Sequence, residues 1–153
     1  MIIKLFNISE DESTIRGMCN CDNYDLNDFS FLQVESDLKY EFNICNISEN
    51  LIIKGNLSLD IKLQCSRCIE FFSTSLQVSD FLRNLLLTKD QFEVDITDEI
   101  KEELVLNINS FPVCMDECKG ICSSCGINLN KSFCHCDSNK NSDTWSILDN
   151  LDL

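Results

Sequence analysis

Residues 53–68, IKGNLSLDIKLQCSRC, give the clearest indication of the fold, because here a long alternating pattern ends in a pair of cysteines. From Ile53 to Leu63 every second residue is apolar or glycine, and the residues between them are polar. Alternation with a period of two predicts a strand of an antiparallel sheet with one buried and one solvent-facing side. The strand ends at Cys65-Ser66-Arg67-Cys68, where we expect the tip of a hairpin.

The same alternation continues on both sides of this strand. Residues 38–44 have the same period, and Ser48 to Asn50 predict the turn that joins the two strands. A third strand is predicted from Ile69 to Val78, directly after the hairpin tip. These segments together predict an antiparallel sheet.

The N-terminal residues carry weaker signals. Met1 to Phe6 predict a short strand. Ser9 followed by Glu12 has the pattern of a capping box, which predicts a short helix that ends at Gly17. Residues 18–32 are rich in Asn and Asp, and we expect them to be mostly loop.

A second helix is predicted from Thr97 to Ile108, because apolar residues recur there every four positions and acidic residues occupy its first turn. Pro112, the only proline, then leads into the cysteine-rich segment. We therefore predict an α+β fold, an antiparallel β-sheet with a few short helices and a cysteine-rich, zinc-binding C-terminal segment. A single domain is expected, with a sheet-and-helix core over 1–110, the cysteine-rich segment over 111–141 and a short docking tail over 142–153.

Six of the eleven cysteines lie between Cys114 and Cys136. Cys122-x2-Cys125-Gly126 has the form of a zinc knuckle, in which backbone amides of the turn point at the sulfurs and the glycine permits a positive φ. The pair Cys134-x-Cys136 can close the tetrahedral site. The first predicted metal site is therefore Cys122, Cys125, Cys134 and Cys136; the alternative is that His135 replaces one of the last pair.

Cys114-x3-Cys118 has no partner nearby, but the hairpin tip offers Cys65 and Cys68. If the chain returns over the sheet after Pro112, these two pairs can meet. The second predicted site is therefore Cys65, Cys68, Cys114 and Cys118; the alternative is four ordinary half-buried cysteines. Each site would be closed by four protein sulfurs, so we expect one or two structural Zn²⁺ ions rather than a catalytic metal.

Three cysteines remain outside both sites. Cys45 lies on a predicted strand and is expected to be a small buried residue. Cys19 and Cys21 lie in the predicted loop region, and we do not expect them to bind metal.

The net charge of the chain limits the kinds of partner that it can bind. The formal net charge is −14, and four thiolates around one Zn²⁺ would add about −2 at each site. Such a chain is a poor match for a phosphate backbone, so direct RNA contact is disfavoured and a basic protein partner is favoured. The N-terminal sequence has no signal-peptide pattern, so we expect a cytoplasmic, reduced protein.

Two motifs resemble the YceD family, the large ribosomal RNA subunit accumulation proteins. Cys65-Ser66-Arg67-Cys68, followed by Phe71 or Phe72, is similar to the family's C-x-R-C and aromatic. Residues 112–136 are similar to the family's P-x-C-x3-C-K-G-L-C-x2-C-G-x2-L-N…C-x-C. The tail departs from the family's D-P-R-W-x-x-L, since Asp143-Thr144-Trp145 lacks the arginine.

The resemblance implies a part in producing or stabilising large-subunit ribosomal RNA. A non-enzymatic assembly factor that binds a ribosomal protein or a pre-ribosomal large-subunit particle is the first hypothesis, since no catalytic set of residues is evident. A thiol redox protein that uses a Cys-x-x-Cys pair is the second hypothesis. An iron electron carrier is the third, because iron and zinc accept similar thiolate sets.

Overall fold

The computed structural model describes residues 1–5, 13–88 and 91–136. Within these ranges the chain forms seven β-strands and one α-helix, together with two short 3₁₀ turns at Cys21–Tyr24 and Leu26–Asp28. The elements are β1 Ile2–Lys4, β2 Ser13–Cys19, β3 Leu32–Val34, β4 Leu38–Ile47, β5 Asn50–Gln64, β6 Phe71–Leu86, β7 Glu93–Asp95 and α1 Thr97–Asn107. The predicted mainly antiparallel sheet is confirmed, and one α-helix accompanies it in the described part of the chain.

Strand β5 is the centre of the larger sheet. Strand β6 pairs with β5 along its whole length, while β4 and β3 share the opposite edge and β2 pairs with β4. All these pairings are antiparallel. The long β5–β6 hairpin places its tip, residues 65–70, at one end of the sheet. This placement brings the first pair of cysteines to the cysteine-rich segment.

The predicted inward face of β5 is confirmed, and the buried residues of the strand are Leu51, Ile53, Leu57, Leu59, Ile61 and Leu63. Gly55 takes the place of an apolar residue in this series. A side chain would not fit there, because an added Cβ would lie 2.0 Å from the Glu41 carbonyl oxygen of β4. Opposite it, β6 has a bulge, since Gly55 pairs with Phe81 and Leu57 with Val78. The extra residue in β6 allows both Val78 and Phe81 to be buried.

The predicted N-terminal helix is wrong for its described residues. Residues 13–19 form β2, which pairs with β4 from Ser13 opposite Ile44 to Cys19 opposite Leu38. The sheet pairing outweighs the local capping signal because tertiary contacts override a weak helix propensity. Residues 9–12 lie outside the described part. Gly17 does not end a helix but faces the Tyr40 side chain, whose hydroxyl would lie 2.6 Å from an added Cβ.

The region 18–32 contains more ordered structure than the predicted loop. Its two 3₁₀ turns bury Tyr24 and Leu26, each 1% exposed, and β3 begins with the buried Leu32. The third strand is also longer than predicted, since β6 continues beyond Val78 to Leu86.

The predicted helix from Thr97 is confirmed as α1. It packs on β6 and buries Ile100 and Leu104. A small second sheet pairs β1 with β7 and buries Ile3 and Val94. No helix in the described ranges is long and apolar enough to span a bilayer. The predicted docking tail at 142–153 lies outside the described residues.

Candidate metal centres

The structure brings both predicted cysteine sets together. One set, Cys65, Cys68, Cys114 and Cys118, joins the hairpin tip to the segment after α1, and we call it the cross-fold centre. The other, Cys122, Cys125, Cys134 and Cys136, lies within the C-terminal segment, and we call it the knuckle centre. In each set all four sulfur atoms lie within 4.8 Å of one another.

The sulfur spacing fits a single tetrahedral ion. Four sulfurs bound to Zn²⁺ at about 2.3 Å are separated from each other by about 3.8 Å. In the cross-fold centre the Cys65–Cys118 and Cys68–Cys114 sulfurs are 3.9 and 3.8 Å apart. In the knuckle centre Cys134 Sγ lies 3.5 Å from that of Cys125 and 3.3 Å from that of Cys122. The donor sets therefore suit a thiophilic metal, and neither includes His135.

The two Cys-x-x-Cys turns have the same backbone geometry. Ile69 N donates to Cys65 O and Gly126 N donates to Cys122 O, each at 2.9 Å. Cys65 N donates to Glu70 O and Cys122 N donates to Ile127 O, each at 2.8 Å. The residue after each second cysteine has a positive φ, 65° for Ile69 and 73° for Gly126. The conformation predicted for Gly126 is thus present in both turns, although one of them uses a β-branched residue.

Backbone amide groups of the knuckle centre point at its sulfurs. Ser124 N lies 3.4 Å from Cys122 Sγ, and Cys136 N lies 3.2 Å from Cys134 Sγ. Hydrogen bonds from the backbone of Cys125 and Ser124 lower the pKa of Cys122 to about 6. Such donors stabilise a thiolate, which is the form that binds metal.

The cross-fold centre has the same kind of donors in a buried setting. Cys114 N lies 3.4 Å from Cys65 Sγ. Burial acts to raise the pKa of Cys65, but backbone hydrogen bonds from Cys114, Cys68 and Arg67 bring it down to about 6. Burial and hydrogen bonds with neighbouring sulfurs instead raise the pKa of Cys114 to about 12. Four thiols this close can all ionise only around a cation, because like charges oppose one another.

Burial distinguishes the two centres. Cys65, Cys68 and Cys118 are buried, with 1%, 5% and 6% of their surface exposed. Cys125 and Cys136 of the knuckle centre are exposed. Phe72 and Val113 pack against the cross-fold centre, whereas Phe71 is exposed, so Phe72 is the aromatic that covers this centre.

The hairpin tip is fastened to the C-terminal segment by backbone contacts. Ser66 N donates to Pro112 O at 2.8 Å, and Ile121 N donates to Arg67 O at 3.1 Å. The Arg67 guanidinium donates to the carbonyl oxygens of Asp116 and Cys118. Gly120 has a φ of 72°, and an added Cβ there would lie 3.0 Å from Arg67 O. The Lys119-Gly120-Ile121 segment therefore passes the hairpin at a distance that only glycine permits without strain.

Three side chains at this junction were not predicted from the sequence: Glu70, Asn130 and Lys131. Lys131 forms an ion pair with Glu70 of the hairpin at 2.6 Å. Asn130, the asparagine of the Leu-Asn pair in the second cysteine motif, donates from Nδ2 to Cys118 Sγ at 3.3 Å. The Leu-Asn pair inside the knuckle was the only feature of the sequence that marked Asn130. Its contact with Cys118 could not be predicted, because it depends on how the C-terminal segment folds back.

The three remaining cysteines lie elsewhere. Cys19 Sγ is 3.4 Å from the Tyr24 hydroxyl, and Cys21 Sγ donates to Ser36 O. Burial raises the pKa of Cys21 to about 11, which keeps the thiol protonated. Cys45 lies on β4 and is partly buried. In the described part of the chain none of them joins a set of three or more metal-ligating residues.

Two comparisons with known proteins bear on this site. The model of the family described as "Large ribosomal RNA subunit accumulation protein YceD" matches residues 79–152. A similar protein, the "Large ribosomal RNA subunit accumulation protein YCED homolog 1, chloroplastic" of Arabidopsis thaliana, is 37% identical over 59 residues. That alignment covers 39% of this chain and 18% of the relative, so it spans under a fifth of the relative's length. No solved structure matches the chain.

The family match includes the six cysteines from Cys114 to Cys136, whereas the hairpin tip precedes it. The resemblance to the YceD family that the second cysteine motif indicates is therefore confirmed over residues 79–152.

Proposed function

We propose that this protein is a non-enzymatic, cytoplasmic factor in ribosome biogenesis that supports the synthesis, processing or stability of large-subunit ribosomal RNA. The observation that carries the proposal is the match of residues 79–152 to a family described by large ribosomal RNA subunit accumulation. The name of the Arabidopsis relative refers to the same process.

The partner we propose is a basic ribosomal protein or a pre-ribosomal large-subunit particle. The chain has 26 acidic and 12 basic residues. At least five of the 12 basic side chains are already in ion pairs with carboxylates: Arg16, Lys62, Arg83, Lys101 and Lys131. Acidic residues outnumber basic ones by more than two to one, so the chain favours a positively charged protein partner over RNA phosphates.

The metal we propose is Zn²⁺ in both cysteine centres, with a structural role. Bound zinc would supply ligation energy that adds to the free energy of folding. In the cross-fold centre that energy would hold the segment after α1 against the hairpin tip. Four sulfurs close each centre, so neither leaves a coordination position open for substrate.

A thiol redox function is less well supported by the geometry. A redox cysteine needs access to its substrate, and Cys65 is only 1% exposed. The Cys65–Cys68 turn joins two strands, so no helix N-terminus activates it. Disulfide reductase turnover by metal-free protein that is lost in Cys65→Ser would favour the redox hypothesis instead. Visible absorption by purified protein would favour iron over zinc.

The test of the proposed function is depletion of the protein in its host, followed by separation of ribosomal subunits. We expect a lower ratio of large to small subunits, restored by the wild-type chain. An unchanged ratio would contradict the role in ribosome biogenesis. A pull-down with metal-loaded protein then tests the partner: recovery of a basic ribosomal protein after nuclease treatment supports the choice, and recovery of RNA alone overturns it.

A further inference from the structure

We propose that the side-chain amide of Asn130 couples metal binding at the two cysteine centres. The inference rests on the part of the proposed function in which both centres hold metal. Asn130 lies in the loop between Cys125 and Cys134, which the knuckle centre closes. Its Nδ2 donates to the sulfur of Cys118, a ligand of the cross-fold centre, at 3.3 Å. One centre therefore positions a hydrogen-bond donor for the other.

Neighbouring groups fix the orientation of this amide. Asn130 Oδ1 accepts a hydrogen bond from Lys119 N at 2.8 Å. Because an amide oxygen accepts and an amide nitrogen donates, this contact turns Nδ2 toward the sulfur. The backbone N of Asn130 and its Nδ2 both donate to Asn128 Oδ1, at 2.9 and 3.0 Å. The donor is therefore held by Asn128 of the knuckle loop and by Lys119 of the segment before the loop.

The target sulfur is one that depends on such a donor. Cys118 is 6% exposed, so water contributes little to the stability of its thiolate. A hydrogen bond to a metal-bound thiolate reduces the charge that the buried ligand must carry. Removal of an outer-shell partner of this kind typically weakens metal binding about 10- to 100-fold.

Exposure sets the order in which metal is lost. A chelator reaches the knuckle centre first, because Cys125 and Cys136 are exposed while three sulfurs of the cross-fold centre are buried. Loss of the knuckle metal releases the ends of the loop that carries Asn130 and withdraws the donor from Cys118. The cross-fold centre then binds its metal more weakly. Coupling between two sites is reciprocal in binding free energy, so a filled cross-fold centre strengthens the knuckle equally.

The experiment uses the full chain loaded with ¹¹³Cd²⁺, which gives one NMR resonance per tetrathiolate centre. Cys65→Ser and Cys125→Ser assign the two resonances. The test variant is Asn130→Asp, which keeps an oxygen to accept from Lys119 N but replaces the donor to Cys118 with a carboxylate oxygen. We expect it to shift the cross-fold resonance, leave the knuckle resonance in place, and weaken cadmium retention at the cross-fold centre about 10-fold or more against a competing chelator.

The matched control is Lys131→Ala. Lys131 crosses the same junction to Glu70, its ion pair involves no sulfur, and its side chain is 64% exposed. We expect both resonances and both affinities to stay as in the wild type. An unchanged cross-fold centre in Asn130→Asp overturns the inference. Loss of both resonances in that variant also overturns it, because Asn130 would then hold the loop rather than one sulfur.

A double-mutant cycle tests the coupling itself. Cys125→Ser combined with Cys134→Ser disables the knuckle, and we expect this to weaken the cross-fold centre about 10-fold or more. When Asn130 is already Asp, disabling the knuckle should change cross-fold affinity by no more than about 2-fold. Equal effects in both backgrounds contradict coupling through Asn130. Failure of the wild type to show two cadmium resonances contradicts the proposed metal binding instead, so the two failures are distinguishable.

Discussion

Gly120 and Gly126 have almost the same backbone conformation but different surroundings, and this difference gives a sharp prediction. Their φ angles are 72° and 73°. An alanine in the left-handed region costs about 1–2 kcal/mol at either position. At Gly126 nothing lies within 4 Å of an added Cβ, so Gly126→Ala should cost that strain alone.

At Gly120 an added Cβ also meets the Arg67 carbonyl oxygen at 3.0 Å. That oxygen accepts the hydrogen bond of Ile121 N, so movement of the segment weakens a bond that contributes about 0.5–1.5 kcal/mol. We therefore expect Gly120→Ala to reduce the free energy of unfolding by about 2–3 kcal/mol, roughly 1 kcal/mol more than Gly126→Ala.

The assay is urea unfolding of metal-loaded protein followed by far-ultraviolet circular dichroism. All variants must be measured at the same free zinc concentration, because bound metal stabilises the folded state by mass action. Equal losses for the two alanine variants, or a smaller loss at Gly120, would refute the close passage of the C-terminal segment over the hairpin.

Three further predictions concern the turn, the N-terminus and the core. Ile69 has a positive φ of 65°, which costs a β-branched residue about 1–3 kcal/mol. Because glycine loses more conformational entropy on folding, Ile69→Gly should raise the free energy of unfolding by only about 1 kcal/mol. A loss of stability would contradict the strained turn. Hydrogen bonds from Thr97 and the N-terminal amine lower the pKa of Asp95 to about 2. The contribution of Asp95 to the free energy of folding is therefore complete above the unfolded pKa near 3.8 and is lost as the pH falls toward 2. Asp95→Asn should flatten this part of the stability–pH curve, and an identical curve would refute the interaction. In α1, Leu104 is fully buried, whereas Leu106 is 71% exposed. Leu104→Ala should therefore lower the free energy of unfolding, measured with denaturant, by about 2–5 kcal/mol, and Leu106→Ala should change it little. Similar losses for the two variants would contradict the packing of α1 on β6.

The strands of the larger sheet were predictable where alternation is long. The period-two pattern of β5 identified its buried face because only one side of that strand meets the core. The N-terminal error has a physical cause: Ser9 and Glu12 provide a local helix signal, whereas β2 is stabilised by pairing with β4, which lies far away in the sequence. Tyr24 and Leu26 were missed for the same reason, since their burial arises from tertiary packing.

The grouping of the cysteine pairs into two sets of four was predictable because tetrahedral ligation requires four donors. Once the knuckle pairs were matched, Cys114 and Cys118 had one evident partner pair left, Cys65 and Cys68. Spacing could also predict the positive φ of Gly126. It could not predict that Ile69 adopts this conformation, since a β-branched residue normally avoids it. Nor could it identify Asn130 as a donor to Cys118, because that contact exists only after the C-terminal segment folds back on the hairpin.

We propose that the chain closes two separate tetrathiolate metal centres, one of them across the fold. The most direct test is the zinc stoichiometry of protein purified without added metal, counted by native mass spectrometry of the wild type and Cys65→Ser. We expect two zinc ions per wild-type chain and one in Cys65→Ser. A single zinc ion in the wild type that Cys65→Ser leaves intact would contradict the cross-fold centre.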